Sequence, residues 1–495
     1  VIHLVVDNRV RVRIEGDHPV AQMRITELKS EHEHPNPEYQ KAKFFGFKKR
    51  IPRQIVTWQG DTEVSFPRGS LSKVRAALGP IGARIDDRRT LGDADLTGKI
   101  PKHQPPSGAL WPHQEMLASV ADAAQNALVR SAAASGKTTA ALALASRLNL
   151  PTLVVVHNAN LFDQWITRCV KELGVPRSWV GIIRGPKRKL GPITIGMQKT
   201  LYGCAAEVAP AFGLVIVDEV HRSAARTFLE VVDQMTARYR VGVSDDERRS
   251  DGKEFLIYDM FGPVVGEASH DDLVRQGYVM DVAVRVVPTE FRADWYQKLE
   301  PNEKLMAYQR LMELMATNDA RNAQAVRDVP LDVASGHQVI LFVDRVEHAL
   351  TLDRMMNARD IRSGFVVGEH PEESAETLRR FGDGRANVVF GTYQALGTGI
   401  DMPRVSRGVF VTPIANSAKG RSQFKQYRGR FARAVDGKAQ PEVAYLWDRY
   451  VFGSKPLRHL CRWARDVRVE WRGRLVSGRE VLKEIEDDEA QRDDD

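Results

Sequence analysis

The sequence predicts an α/β protein built from two tandem parallel-sheet lobes, preceded by a small N-terminal α/β domain. Short, wholly apolar runs alternate with amphipathic helical stretches in two separate series, the pattern of parallel sheets covered on both faces. The chain has 495 residues and 43% hydrophobic content, which is globular and more than one ordinary core absorbs, so about three domains are expected. Nowhere is there a run of about eighteen apolar residues, so no membrane-spanning helix is expected. The boundaries read as 1–100 for the N-terminal domain, 101–280 for the first lobe, 281–475 for a helical linker with the second lobe, and 476–495 for an acidic tail.

Residues 1–100 mix β-like runs such as "VIHLVV" and "QIVTW" with turns rich in Pro, Gly and charge. Within them "KAKFFGFKKRIPR" interleaves Lys48, Lys49, Arg50 and further cations with Phe44, Phe45 and Phe47. Cations for phosphates beside rings for bases make a nucleic-acid surface; a strand with its rings inward and its lysines outward explains the segment equally well. His32 and His34 in "EHEHPNP" are expected to be solvated turn residues. The first lobe opens at "SGALWPHQ" and supplies "ALVR", "TLVVVH", "ITIGM" and "LVIVDE" as strands. After "DWYQKLEPNEKLMAYQRLMELMATNDARNAQAV", which has few breakers and reads as helices, the second lobe supplies "HQVILFVD", "RSGFVV", "ANVVFGT", "RGVFVTP" and "EVAYLWD".

Charge narrows the partners. The net charge is +8, but the terminal "EIEDDEAQRDDD" carries −7, leaving +15 on the rest of the chain, a balance that suits a polyanion. The acidic tail itself is expected to be disordered. Cys169, Cys204 and Cys461 are far apart and lack metal-ligand spacing, as expected of a reducing compartment without disulfide or zinc framework. With no signal-peptide pattern at the start, a cytoplasmic location is expected, among nucleoid-associated proteins or in a phage-infected host.

The chemistry starts at "RSAAASGKTT", residues 130–139. A phosphate-gripping loop needs backbone N–H groups turned inward, a lysine for the β/γ-phosphates and a hydroxyl for Mg²⁺. Gly136, Lys137 and Thr138 match; Ser131 and Ala134 replace the usual glycines, and only Gly136 is expected to be sterically indispensable. Ala134, Ser135, Gly136, Lys137, Thr138 and Thr139 are therefore the phosphate-binding residues. Downstream, "LVIVDEVHR" puts Asp218 and Glu219 at the carboxyl end of a buried strand, where ligands of open parallel sheets bind. Thr138 and Asp218 would hold Mg²⁺, and Glu219 would polarise the attacking water. In "QYRGRFAR", Arg430 and Arg433 are three apart, which places both on one face of a helix. From there they could reach across a cleft to the γ-phosphate.

In order, "LWPHQ", "SAAASGKTT", "VVVHNANLFDQW", "ITIGMQKTL", "DEVH", "VGVSDDERRSDG", "ILFVDRVEHA", "FGTYQALGTGIDMP" and "QYRGRFAR" resemble the motif series of superfamily 2 helicases and translocases. The likeness covers most of the chain and is greatest to the DEAD/DEAH-type helicases of phages and to repair translocases with a small N-terminal domain. It implies RecA-like lobes, ATP and Mg²⁺ as cofactors, and a largely sequence-independent hold on the nucleic-acid backbone. It further implies that Gln114 reads adenine, that His221 links the nucleotide site to the second lobe, and that Gly399 and Asp401 contact nucleotide or ribose. By the same likeness, the segments around His157, Asn158, Met197, Gln198, Thr392 and Tyr393 lie along a nucleic-acid strand.

Two departures stand out. Ala134 replaces a usual glycine, although an alanine still offers its N–H. "GVSDDERR" stands where the family commonly has Thr-Ala-Thr-Pro, bringing Asp245, Asp246 and Glu247 to a segment that couples hydrolysis to movement. These acids are expected to face protein cations and not the DNA track. The expected activity is ATP-dependent DNA unwinding or translocation on branched or double-stranded DNA in replication, recombination or repair, by a monomer. RNA stays open as the substrate. The alternative is an ATP-dependent clamp on DNA that does not move, while a nuclease-coupled motor is disfavoured for want of a further acid-and-lysine domain.

Overall fold

The computed structural model describes residues 1–44, 51–220, 226–245, 251–397, 402–414, 418–463 and 467–493. They fall into two compact units, Val1–Ser269 and His270–Asp495.

The first unit begins with strict alternation. In β1 (Ile2–Val6) and β2 (Val10–Ile14), Ile2, Leu4, Val6, Val10 and Val12 are buried while His3, Val5 and Arg11 are not, the period-two signature of a half-buried strand. The two strands form an antiparallel hairpin. β3 (Glu33–Pro35) pairs with β4 (Gln54–Val56) apart from the main sheet, whereas β5 (Glu63–Phe66) and β6 (Arg84–Asp87) complete it in the order β5-β2-β1-β6. The helices Pro19–Glu31 and Leu71–Leu78 cover one face through Ala21, Ile25, Leu28, Val74 and Leu78. This domain is tied into the sheet that follows: Arg68, wholly buried, donates to the Arg238 carbonyl at 2.7 Å, and Arg240, also wholly buried, donates to the Asn8 carbonyl at 3.2 Å.

The eight-stranded sheet of this unit comprises β7 (Asn126–Ser131), β8 (Thr152–Val156), β9 (Val180–Arg184), β10 (Lys187–Lys189), β11 (Ile193–Met197), β12 (Leu214–Asp218), β13 (Tyr239–Ser244) and β14 (Val264–Ala268). Its order is β10-β9-β11-β8-β12-β13-β7-β14, parallel except for β10. β8 and β12 are buried at every residue, as sheets with helices on both faces require.

The second unit repeats the design. β15 (Ala283–Pro288), β16 (Val339–Val343), β17 (Ser363–Val366), β18 (Val388–Thr392), β19 (Arg407–Phe410), β20 (Glu442–Trp447), β21 (Arg468–Trp471) and β22 (Arg474–Ser477) form a sheet of order β17-β18-β16-β19-β20-β15-β21-β22, antiparallel only at β22. Helices Asp294–Gln297, Pro301–Thr317 and Asp319–Ala325 occupy the stretch read as helical. The doubled parallel sheets and the small α/β domain are the fold class expected from the sequence.

Three local readings are corrected. The acidic C-terminal segment is not disordered along residues 478–493: it is a helix, Gly478–Asp493, because Val481 and Ile485, four apart and buried, give it an apolar stripe. Trp471 Nε1 fixes it by donating to Glu484 Oε2 at 3.0 Å. The basic-aromatic segment begins as a helix, Pro37–Phe44, and not as a strand; Lys48, Lys49 and Arg50 lie outside the described residues. His32 is not solvated but 3% exposed, and His34 is only partly exposed.

Candidate nucleotide site and nucleic-acid track

Five of the parallel strands of the first unit deliver their following residues to one carboxyl edge. β7 leads into the loop 132–136, β8 into His157, β11 into Gln198, β12 into Glu219 and β13 into Asp245. Register holds these neighbours together: Met197 pairs with Val156, Asp218 with Val243 and Ser244 with Arg130.

The loop is closed by its own side chains. The buried hydroxyls of Ser131 and Ser135 lie 2.6 Å apart, so the serine in place of the first glycine acts as a latch. Gly136 sits at φ +83°, and a Cβ there would stand 2.2 Å from Gln114 Nε2, so any other residue strains the backbone and displaces that amide. Ala134, however, is also left-handed, at φ +67°. The expectation that only Gly136 needs glycine's freedom is therefore corrected: alanine tolerates this position at a cost of about 1–2 kcal/mol. Helix Lys137–Leu148 starts directly after the loop, and its first intrahelical bond is Ala140 N–H to Gly136 O at 3.0 Å. The N–H groups of Lys137, Thr138 and Thr139 thus have no partner within the helix, as at any helix start, and form an anion cradle.

Gln114 is part of this frame. Its Nε2 donates to Ser135 O at 3.0 Å and its Oε1 accepts the Trp111 N–H at 3.1 Å. A side-chain amide has two donors and two lone pairs, so each end keeps one for an adenine edge. The Thr139 hydroxyl is turned away, accepting from Arg168 at 2.5 Å. Only its backbone serves the cradle, while Thr138 follows Lys137 in the first turn.

Lys137 Nζ lies 3.1 Å from Glu219 Oε1. Burial pulls this ammonium down, but Glu219, Asp245 and Asp218 overcome that and hold it above its ordinary value. Burial, reinforced by the Glu219 charge, pushes the Asp218 carboxyl above the usual carboxylate range, against Lys137 and a hydrogen bond from Trp165 Nε1 to Asp218 Oδ2 at 2.8 Å. Three carboxylates around one ammonium leave an excess of negative charge in a buried place. A divalent cation offsets that excess, and carboxylate and hydroxyl oxygens are the ligands Mg²⁺ takes. Glu219 is itself left-handed, at φ +54°, a strained backbone of the kind concentrated at functional positions.

Sequence reasoning missed Trp165, Arg168 and the position of Asp245. Trp165 and Arg168 sit one turn apart on helix Ala159–Leu173, which no phosphate motif marks. Asp245, expected to face protein cations, is 7% exposed and acts on the Lys137 ammonium, because it directly follows β13 beside β12. Asp246, Glu247, Arg248, Arg249 and His221 lie outside the described residues.

On the track side, Asn158 is committed locally. Its Oδ1 accepts from Leu161 N–H at 2.8 Å and caps helix Ala159–Leu173, while its Nδ2 lies 3.0 Å from His157 Nε2. In the second unit, Thr392 ends β18 and its hydroxyl accepts the Ala395 N–H at 3.2 Å. Tyr393 is a core residue: its hydroxyl donates to Thr412 O at 2.5 Å and its ring stacks on Phe342. Its ring cannot stack on a base, so a contact from this segment falls to backbone and Thr392. Gly399 and Asp401 lie outside the described residues.

Arg430 lies on helix Ala418–Phe431 and donates to Leu396 O. Arg433 does not share that helix, which corrects the single-face expectation. The helix ends at Phe431, and Arg433 forms a β-bridge with Val279. Lys438 enforces the ending: its ammonium donates to Phe431 O at 2.7 Å and Arg433 O at 2.9 Å. Burial and then the Arg433 charge lower Lys438 to about 8.

Each of the two units matches a known protein family. Residues 112–244 match the family described as "Type III restriction enzyme, res subunit", and residues 321–435 match "Helicase conserved C-terminal domain". "Probable helicase D10" of Escherichia phage T5 is 27% identical over 367 residues, covering 73% of this chain and 74% of that protein. "DNA 3'-5' translocase XPB2" of Sulfurisphaera tokodaii is 27% identical over 334 residues, 61% of this chain and 74% of that protein. A solved fragment assigned to the HsdR subunit of a type I restriction enzyme from Vibrio vulnificus shares the fold, with a TM-score of 0.52 and 17% identity over 88% of this chain and 80% of that one. No helix among the described residues is long and apolar enough to cross a membrane. With both domains of the motor in order on one chain, and phage helicases and XPB translocases among its relatives, this protein belongs to the superfamily 2 helicases and translocases.

Proposed function

We propose that this chain is an ATP-driven motor on branched or double-stranded DNA, serving replication, recombination or repair. The observation that carries the reading is the Lys137–Glu219 pair, 3.1 Å apart, at the carboxyl edge where the latched loop and the Asp218 strand end meet. Lys137 and the N–H groups of the first helical turn hold the phosphates, and Gln114 reads adenine with its remaining donor and acceptor. Thr138 and Asp218 hold Mg²⁺, which supplies charge neutralisation for phosphoryl transfer. ATP binding draws Lys137 from Glu219 to the phosphates, leaving that carboxylate to orient a water and accept its proton. Arg430 and Arg433 serve as transition-state cations, with Gly399, Asp401 and His221 completing the site as the family pattern implies. His157, Met197, Gln198 and Thr392 grip the nucleic-acid backbone, which makes the motor indifferent to base sequence.

We place it in the cytoplasm as a monomer. Relatives named as DNA helicases and translocases favour DNA over RNA. Steady-state ATP hydrolysis with duplex DNA, forked DNA, RNA or no nucleic acid tests the reading. Stimulation by forked or duplex DNA is expected; equal rates under all four conditions would refute it.

A further inference from the structure

We propose that the N-terminal domain and the first sheet are clipped together by a zinc-class transition-metal ion held by His32, His34 and Asp259. The three ligand atoms, two imidazole nitrogens and a carboxylate oxygen, all lie within 4.8 Å of one another. Asp259 lies more than two hundred residues beyond the two histidines in sequence: His32 follows the helix Pro19–Glu31, His34 is in β3, and Asp259 is on helix Phe255–Phe261.

His32 Nδ1 is 3.0 Å from Asp259 Oδ1, and His34 Nε2 is 3.4 Å from Asp259 Oδ2. Neither His34 Nε2 nor Asp259 Oδ2 has a hydrogen-bond partner among the described residues, though both atoms are buried. A buried unsatisfied carboxylate oxygen is costly, and here it points at a second such atom. An ion between them satisfies both. Four-coordinate zinc, with bonds of about 2.0–2.2 Å, sets neighbouring ligand atoms about 3.4 Å apart; the two imidazole–carboxylate contacts, at 3.0 and 3.4 Å, lie near that spacing, and the whole triad needs only to draw in from its 4.8 Å limit.

The surroundings are those of a built site. The far nitrogen of His32 lies 2.9 Å from the Ser70 hydroxyl, which fixes the ring with Nδ1 turned to Asp259, the outer support that metal-bound imidazoles carry. The ring of His34 stacks on Phe255 at 4.0 Å. Gly69, next to Ser70, lets the backbones close: a Cβ there would stand 2.2 Å from Tyr258 O and 2.5 Å from Asp259 O. Imidazole nitrogens with a single carboxylate suit zinc and its neighbours, not calcium or magnesium. Three protein ligands leave one position for water.

The test is titration of the chelator-stripped full-length protein with Co²⁺, in excess Mg²⁺ so that the harder ion occupies the nucleotide-site carboxylates. Expected are saturation at one Co²⁺ per chain, the strong visible absorption of a four- or five-coordinate site, displacement by Zn²⁺, and a higher melting temperature with metal. His34→Gln and Asp259→Asn should weaken binding at least about tenfold, consistent with loss of a ligand. Should Asp259→Asn fail to fold, His34→Gln and the wild-type spectrum decide alone. A weak six-coordinate spectrum without saturation, or equal binding by His34→Gln, would overturn the proposal and leave an ion-paired triad without metal.

Discussion

Gly136→Ala isolates the nucleotide loop with a single methyl group. Two costs follow from the structure. Alanine at φ +83° pays the left-handed penalty of about 1–2 kcal/mol. Its Cβ, 2.2 Å from Gln114 Nε2, displaces that amide from Ser135 O, losing a buried hydrogen bond worth about 1–3 kcal/mol. The sum, about 2–5 kcal/mol, is borne by the ATP-ready loop and not by an opened one, so the competent fraction falls and apparent ATP affinity falls with it. Even the lower figure is roughly 30-fold. Titration of a fluorescent ATP analogue measures it for wild type, Gly136→Ala, Gln114→Ala and the double variant. Because the methyl group acts partly through Gln114, the double variant should lose less than the two single losses combined, a coupling of about 1 kcal/mol or more. Wild-type affinity in Gly136→Ala, or strict additivity in the double variant, would refute the reasoning.

Lys137→Ala should abolish ATP turnover, while Glu219→Gln should still bind ATP and hydrolyse it about 10²–10⁴-fold more slowly, as when only proton acceptance is removed; single-turnover hydrolysis and equilibrium binding, measured side by side, distinguish the two. Arg430→Ala or Arg433→Ala should cost about 10³-fold in rate with far less effect on ATP affinity, and equal losses in both would remove their transition-state role. Neutralising Lys48, Lys49 and Arg50 together should weaken duplex DNA binding and reduce the slope of log K against log salt by up to about 2.7, at about 0.9 per phosphate contact. An unchanged slope would take this segment off the DNA. Substitution is the right tool here, since deleting the domain would also remove the Asn8 carbonyl, one of the three that the buried Arg240 guanidinium binds.

What the sequence revealed and what it hid divide along physical lines. Continuous apolar strands followed by Gly-Lys-Thr or Asp-Glu announce themselves because both signals are local: β7 with Lys137, and β12 with Asp218, stand where their runs place them. Backbone conformation is not written in residue type alone, so Ala134 at φ +67° could not be read from an alanine. Arg433 fell off its helix through Lys438, a cation five residues further on whose reach depends on the folded chain. Tyr393 falls in a segment expected along the nucleic-acid strand, and tyrosine suits both core and surface; only Phe342 and Thr412, brought by neighbouring strands, settle its side chain inside. His32 and His34 looked solvated since their partner Asp259 is more than two hundred positions away. Asp245 is intermediate: its strand was legible, its proximity to Lys137 was a matter of sheet order.

The most direct test of the motor is displacement of a third strand from a DNA triplex, followed in real time with ATP, with a non-hydrolysable analogue, and with Glu219→Gln. The account predicts displacement only for wild type with hydrolysable ATP, because movement requires repeated turnover at the Lys137–Glu219 site. DNA binding that depends on ATP, without displacement by the wild-type protein, would contradict it and leave a nucleotide-gated clamp.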